Sequence, residues 1–349
     1  MAQTGAARDT KGGRLLSKLP KRSHWLILTA LLAVGWRWPW YNPPDTSTEL
    51  SPLELSSSDR VLVLALHPDD ETLACGGVIQ QCLAMGLPVR VVFLTCGDNN
   101  ELSFLVYRKH PVLLPRSVRR MGMIRHDEAL AAARQLGLAE TNLVFFGYPD
   151  FGTLRIWIEH WNRQPPLLER LTASRAVPYS MAFRPGAAFK GEEILEDLTA
   201  LLRDFRPTKV FVSHPADRNP DHQALYLFTR VALWNLAGEV NPEIFPYLVH
   251  FERWPQPRGL HPEKTLIPPR ALSEHVVWRS FRISPEAVAK KRAALRAHRS
   301  QFSYGRRYLL SFVRANELFG DFHSVNERRP GTPLPDTLVQ DESLVGEPP

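Results

Sequence analysis

The stretch VLVLALHPDDETLACGG, residues 61–77, decides the fold. Its first six residues are apolar without a break, the pattern of a strand buried on both faces. A polar turn of His67, Pro68, Asp69, Asp70 and Glu71 follows at once, and residues 72–85 then suit a helix stopped by Gly86 and Pro88. The same grammar recurs along the chain. VRVVFLT (89–95), NLVFFG (142–147), KVFVS (209–213) and YLVHFE (247–252) read as strands. Residues 117–136, 192–205, 221–236 and 285–298 read as helices, the last with Ser284 as N-cap and a proline at its first position. Strand and helix in alternation predict an α/β fold, a Rossmann-like, mostly parallel sheet with helices on both faces.

Such a sheet binds ligands beyond the carboxyl ends of its strands. That is where the polar residues of this chain gather. The first strand is followed by HPDDE (67–71), the second by Gly97, Asp98, Asn99 and Asn100, the third by Tyr148, Pro149 and Asp150, and the fourth by HPADRNPDH (214–222).

His67 and Asp70 stand three apart at a strand-to-helix turn, so both can face one point. His222 opens a later helix and can complete the set. Two histidines, one carboxylate and an open position make a catalytic zinc site, or a ferrous one. A cation there would bring a bound water to a pKa near 7. Asp69 is then free to act as general base. An oxyanion donor is sought among His214, Asn219 and the amides near Gly76 and Gly77, and Asp221 is a candidate to orient a histidine. Each cluster also has a plainer reading: Asp69–Glu71 as the acidic first turn of a helix, and ADRNPDH as a turn and a cap. Two such clusters, both opening with His-Pro and both at strand ends, favour the metal site.

ALHPDDETLACGG resembles the signature of the LmbE-like deacetylase family, which includes the N-acetylglucosaminyl-phosphatidylinositol de-N-acetylases. SHPADRNPDHQAL resembles that family's later histidine motif. VVFLTCGD, RHDEALAAARQLGL with VFFGYPD, and KKRAALRAHRSQF follow in the same order, so the likeness runs over residues 60–302. It implies a Rossmann-like fold and a divalent metal, usually zinc. It also implies removal of acetyl groups from N-acetylated sugars and their conjugates, glycolipids among them. By match to the motifs, His67, Asp70 and His222 would be the metal ligands and Asp69 the general base. Arg125, in an RxxE element with Glu128, would lie near the substrate, with Asp98 and Asp150 as further substrate contacts on the same rim. The family commonly has a histidine three residues before the last ligand, helping to stabilise the oxyanion. Asn219 occupies that position here, which leaves the proton to His214 or to the network around the metal. Two other readings follow: a weak or inactive member that binds sugar or glycolipid, and an amidase for another N-acyl group.

The rest of the chain sets the context. Its 349 residues suffice for one large α/β domain, and a hydrophobic fraction of 44% excludes wholesale disorder. The net charge of +7 is mostly local, because residues 1–24 hold six basic residues against one acid; with no nucleic-acid motif elsewhere, nucleic acid is not an expected partner. The predicted organisation is a basic tail (1–23), a membrane anchor or signal segment (24–41), a linker (42–58), the catalytic domain (59–323) and a disordered tail (324–349). Residues 25–36 are a short apolar run behind Lys21 and Arg22, read as a single N-terminal anchor helix, with a cleaved signal or an interfacial helix as alternatives. The positive-inside rule then puts the domain outside the cytoplasm, anchored or secreted. Cys75, Cys82 and Cys96 form no disulfide framework, and Cys75 and Cys82 read as core. The insert at 101–122 reads as a basic lid or a solvated loop. Trp157 and Trp161 read as core or as a pocket wall, with sugar stacking as the bolder option. Oligomeric state is not legible.

Overall fold

A computed structural model describes residues 50–100, 106, 107, 109 and 114–322. The basic tail, the segment 24–41, residues 42–49 of the linker, part of the 101–122 insert and the tail 324–349 lie outside the described residues. Among the described residues, no helix is long and apolar enough to cross a membrane.

A two-residue strand, β1 (Ser51–Pro52), precedes β2 (Val61–Ala65), in which every residue is buried. The period-2 alternation of a strand explains that burial. Val61, Val63 and Ala65 enter one hydrophobic core, while Leu62 and Leu64 enter another on the opposite face. With β3 (Val89–Thr95), β4 (Leu143–Tyr148), β5 (Lys209–Ser213) and β6 (Glu243–Tyr247), β2 forms a five-stranded sheet in the order β4-β3-β2-β5-β6. All its pairings are parallel, and Val63 lies opposite Val91 on one side and Phe211 on the other.

Helices cover both faces. α1 (Asp70–Ala84), α2 (Pro115–Leu136) and, later, α6 (Pro285–Ala297) supply the first core. The second is built by α3 (Thr153–Glu159), α4 (Gly191–Phe205) and α5 (Pro220–Asn235). α7 (Arg299–Leu309) follows α6. Several boundaries follow local chemistry. Gly137 closes α2 in the left-handed conformation at φ 85°, and Ser284 Oγ accepts from Ala287 N at 3.2 Å to open α6. All three cysteines are free and buried in the cores.

The strand order is the decisive feature. The chain leaves β2 for β3 and β4 on one side, then crosses back to lay β5 and β6 on the other. The carboxyl ends of the neighbours β2 and β5 therefore diverge into opposite crossovers, and a crevice opens between them.

Three features differ from expectation. The last strand of the main sheet covers 243–247, not 247–252. Pro246 is tolerated because β6 is an edge strand, and the backbone of Val249 and His250 is drawn off to the Asp217 carboxylate. A second sheet, β1-β7-β8, is formed with β7 (Val276–Arg282) and β8 (Asn316–Phe322). Its alternating pattern was masked by the exposed Arg279 and Arg282 of β7. Finally, part of the segment read as a linker is structured: Ser51 and Pro52 pair with Arg279 and Ser280, and Leu53 is buried.

Candidate metal centre

The polar turn after β2 folds on itself. His67 N donates to Asp70 Oδ2 at 2.9 Å, and Asp70 N donates to His67 O at 3.2 Å. Asp69, the residue before α1, is held at φ 137°, a conformation rarely taken by a residue with a side chain. Across the crevice, Pro220 starts α5 and Asn219 caps it, its Oδ1 accepting from Asp221 N at 3.0 Å. His222 is thereby set in the first turn, one strand away from His67.

His67, Asp70 and His222 converge, with one candidate ligand atom each and all within 4.8 Å of one another. Asp70 Oδ2 lies 3.6 Å from His67 Nδ1 and 3.4 Å from His222 Nε2. His222 is fully buried, yet neither ring nitrogen has a hydrogen-bond partner. Buried polar atoms are seldom left so, and a cation would satisfy Nε2. The donor set, two imidazoles and one carboxylate, suits zinc or ferrous iron. Each histidine also faces a second carboxylate through its other nitrogen: His67 Nε2 lies 2.7 Å from Asp150 Oδ1, and His222 Nδ1 lies 3.7 Å from Asp217 Oδ2. Such carboxylates fix the tautomer and the angle of a ligating ring.

Electrostatics divide the group. Burial alone would lower His67, but Asp150 and Asp70 more than reverse it and hold the ring at about 10. Burial lowers His222 to about 4, only partly opposed by Asp217 and Asp70. Burial would raise Asp70, and the neighbouring histidines instead pull it well below the usual carboxylate range. Asp69 is pushed up to about 6, by burial first, with Arg125 opposing.

Several expected roles change. Asp150 is not open to a substrate. Its Oδ1 is taken by His67 and by Phe151 N, and its Oδ2 accepts from Asn99 N. Asp98 is buried and accepts from the Tyr179 hydroxyl at 2.5 Å, so it is no free substrate contact either. Arg125 is buried and spans Gly97 O at 3.0 Å, Pro68 O at 2.8 Å and Asp69 Oδ1 at 3.3 Å, so it locks the turn and the Asp69 carboxylate. Gly97 leaves it room, since a Cβ there would lie 2.2 Å from the guanidinium. Asp221 does not orient His222: its Oδ1 accepts from Leu154 N at 2.9 Å. The amides near Gly76 and Gly77 are not oxyanion donors, because Gly77 N donates to Glu317 Oε1 at 2.7 Å inside the core. His214 is buried against Trp278 and Phe322, with its Nδ1 accepting from Ala216 N, and burial lowers it to about 4. No described contact joins it to His67, Asp70 or His222. Trp157 and Trp161 pack on each other and on Phe228, as core.

Two residues enter that the sequence did not offer. Asp217 is fully buried and accepts from Asn219 N, Val249 N and His250 N, with His250 Nδ1 at 3.2 Å from its Oδ1. Burial would raise its carboxyl, but His222 and His250 hold it below the ordinary range. His250 stands edge-on to His222, ring centroids 4.8 Å apart, and its side chain is 40% exposed, against 10% for His67 and none for His222. It is the open member of the cluster. HPADRNPDH contained Asp217, but six polar residues in nine hid which one mattered, and His250 lay inside a predicted strand.

With this geometry in view, residues 62–233 match the family described as PIG-L: GlcNAc-PI de-N-acetylase. A 1D-myo-inositol 2-acetamido-2-deoxy-α-D-glucopyranoside deacetylase from Saccharopolyspora erythraea is 30% identical over 185 residues, covering 52% of this chain and 55% of the relative. A protein of the same description from Actinosynnema mirum is 27% identical over 263 residues, covering 71% and 83%. The chain thus spans about half the length of the Saccharopolyspora relative and of mycobacterial ones like it. Among solved structures, the N,N'-diacetylchitobiose deacetylase of Pyrococcus horikoshii aligns with 76% of this chain and 84% of its own, at 20% identity and a TM-score of 0.43.

Proposed function

The chain carries a PIG-L, LmbE-like domain over residues 62–233, and from that premise we propose that it is a metal-dependent N-deacetylase. Its substrate would be an N-acetylglucosamine-type sugar or glycoconjugate, cleaved to acetate and a free amine. The observation that carries this reading is the convergence of His67, Asp70 and His222 beside Asp69.

His67, Asp70 and His222 would hold the cation, with Zn2+ the first choice and Fe2+ the alternative. When bound, it supplies a Lewis acid for the acetamide carbonyl and lowers the pKa of water in the site. Asp69 takes a proton from the attacking water and returns it to the leaving nitrogen as the C–N bond breaks. Arg125 donates to one oxygen of the Asp69 carboxylate at 3.3 Å and so fixes its direction. His250 is the donor best placed to hydrogen-bond the developing oxyanion, steadied through Nδ1 by Asp217. Asn219 caps α5 through its Oδ1, which accepts from Asp221 N.

The test is acetate release from a methyl glycoside of N-acetylglucosamine by the zinc-loaded protein. Asp69→Asn should keep about one metal per chain and lose activity by at least 10²-fold. Wild-type protein that binds the metal but releases no acetate would sink the reading. We further read residues 24–41 as an uncleaved anchor with the domain outside the cytoplasm, supported by the basic flank and apolar run. Recovery of full-length protein in the soluble fraction would count against it.

A further inference from the structure

Phe151 is anomalous twice over. Its side chain is 63% exposed, and its backbone sits at φ 56°, in the left-handed region that bulky residues avoid. Glycine or asparagine would satisfy that turn without strain, and exposure forfeits the burial that a phenyl ring normally contributes. Neither cost is explained by packing, since Phe151 makes no ring contact with any described aromatic residue.

Its position is informative. Phe151 N donates at 3.0 Å to Asp150 Oδ1, the same oxygen that lies 2.7 Å from His67 Nε2. Three residues later, Leu154 N donates at 2.9 Å to Asp221 Oδ1, and Asp221 precedes His222. The turn is therefore tied at one end to the carboxylate that aims His67 and at the other to the residue beside His222. Gly152 keeps it tight, because a Cβ there would lie 2.9 Å from both Leu167 and Pro149. A largely exposed ring, carried on a turn strapped between the supports of the two histidines, is placed for a ligand and not for the core. Strained residues held by their surroundings in this way gather at ligand clamps.

We propose that Phe151 is the sugar platform of this site. Its ring takes the apolar C–H face of the hexosamine whose acetamide lies at the His67–Asp70–His222 group, and so selects pyranosides over open-chain amides. This rests on the deacetylase reading above.

The experiment uses the zinc-loaded full chain and compares kcat/KM for the methyl glycoside of N-acetylglucosamine with that for N-acetylethanolamine. Phe151→Ala should lower the ratio of the two about 10-fold, chiefly through KM for the glycoside, and Phe151→Trp should retain it. Phe151→Gly should lose the ratio equally while its melting temperature matches or exceeds wild type, because the backbone strain is relieved. A ratio within twofold of wild type in the Ala and Gly variants overturns the platform. If wild type cleaves neither compound, the deacetylase reading fails, and calorimetric binding of the glycoside decides the rest. Binding weakened by Phe151→Ala sustains the platform, and no binding by wild type overturns it as well.

Discussion

His250 supplies the sharpest expectation at the scale of single residues. It was unreadable in the sequence because YLVHFE has the composition of a strand, and only the folded chain shows Asp217 drawing the backbone out of β6 and the imidazole to the cation site. His250→Ala should lower kcat by about 10²-fold, with metal content preserved, because His67, Asp70 and His222 form their group without His250. Loss of metal along with activity would assign it to ligation instead. The four residues at the centre of the chemistry were legible, since HPDDE and PDH place their side chains by local geometry alone. Their supports were not. Asp150 and Asp217 reach the two histidines across 83 and 5 positions of sequence respectively, and nothing local distinguishes an orienting carboxylate from a substrate contact. The internal partners of Asp221, Asp98 and Arg125 were not legible for the same reason.

Helix α1 shows what the glycines after the polar turn accomplish. A Cβ on Gly77 would stand 2.0 Å from Ile283 Cγ2, while one on Gly76 would stand 3.1 Å from Cγ of the buried Lys291 chain. Lys291 Nζ in turn pairs with Glu317 Oε1 at 2.6 Å in the interior, and that carboxylate receives Gly77 N and Val78 N. Gly77→Ala should cost about 3 kcal/mol, whereas Gly76→Ala should be near neutral, the helical preference for alanine offsetting a small adjustment. Paired chemical denaturation curves would separate them. The loop after β3 carries a pH signature. Burial, with Asp150 adding to it and Tyr179 opposing, pushes Asp98 up from 3.8 to about 7. The folded chain then keeps a proton that the unfolded chain releases, so stability from this group is complete below pH 3.8 and is lost as pH rises through about 7. Asp98→Asn should flatten that slope, gaining on wild type by up to about 4 kcal/mol between pH 4 and 8. Parallel melting curves across that range would show whether it does.

For the molecule as a whole, the main sheet was legible and the small one was not. Four of its five strands read directly as mainly apolar runs, because burial on both faces removes the polar alternation. β7 is wet on one face and β8 contains Glu317 and Asp321, so neither announces itself by composition. The crevice between β2 and β5 was predicted in kind from the alternation of elements, and the strand order gives it its place.

That same order has a consequence for assembly. The chain from β1 to α3 carries His67 and Asp70, the chain from α4 onward carries His222, and the two portions meet in the main sheet along the β2–β5 seam. A cation held by His67, Asp70 and His222 would be a rivet between two pieces of one polypeptide. Cut once between α3 and α4, the fragments should re-form the native fold more tightly with zinc than in chelator, by about 10-fold or more in the association constant. Titrating one fragment into the other would measure it, and equal affinities in the two conditions would show that the seam closes without its rivet.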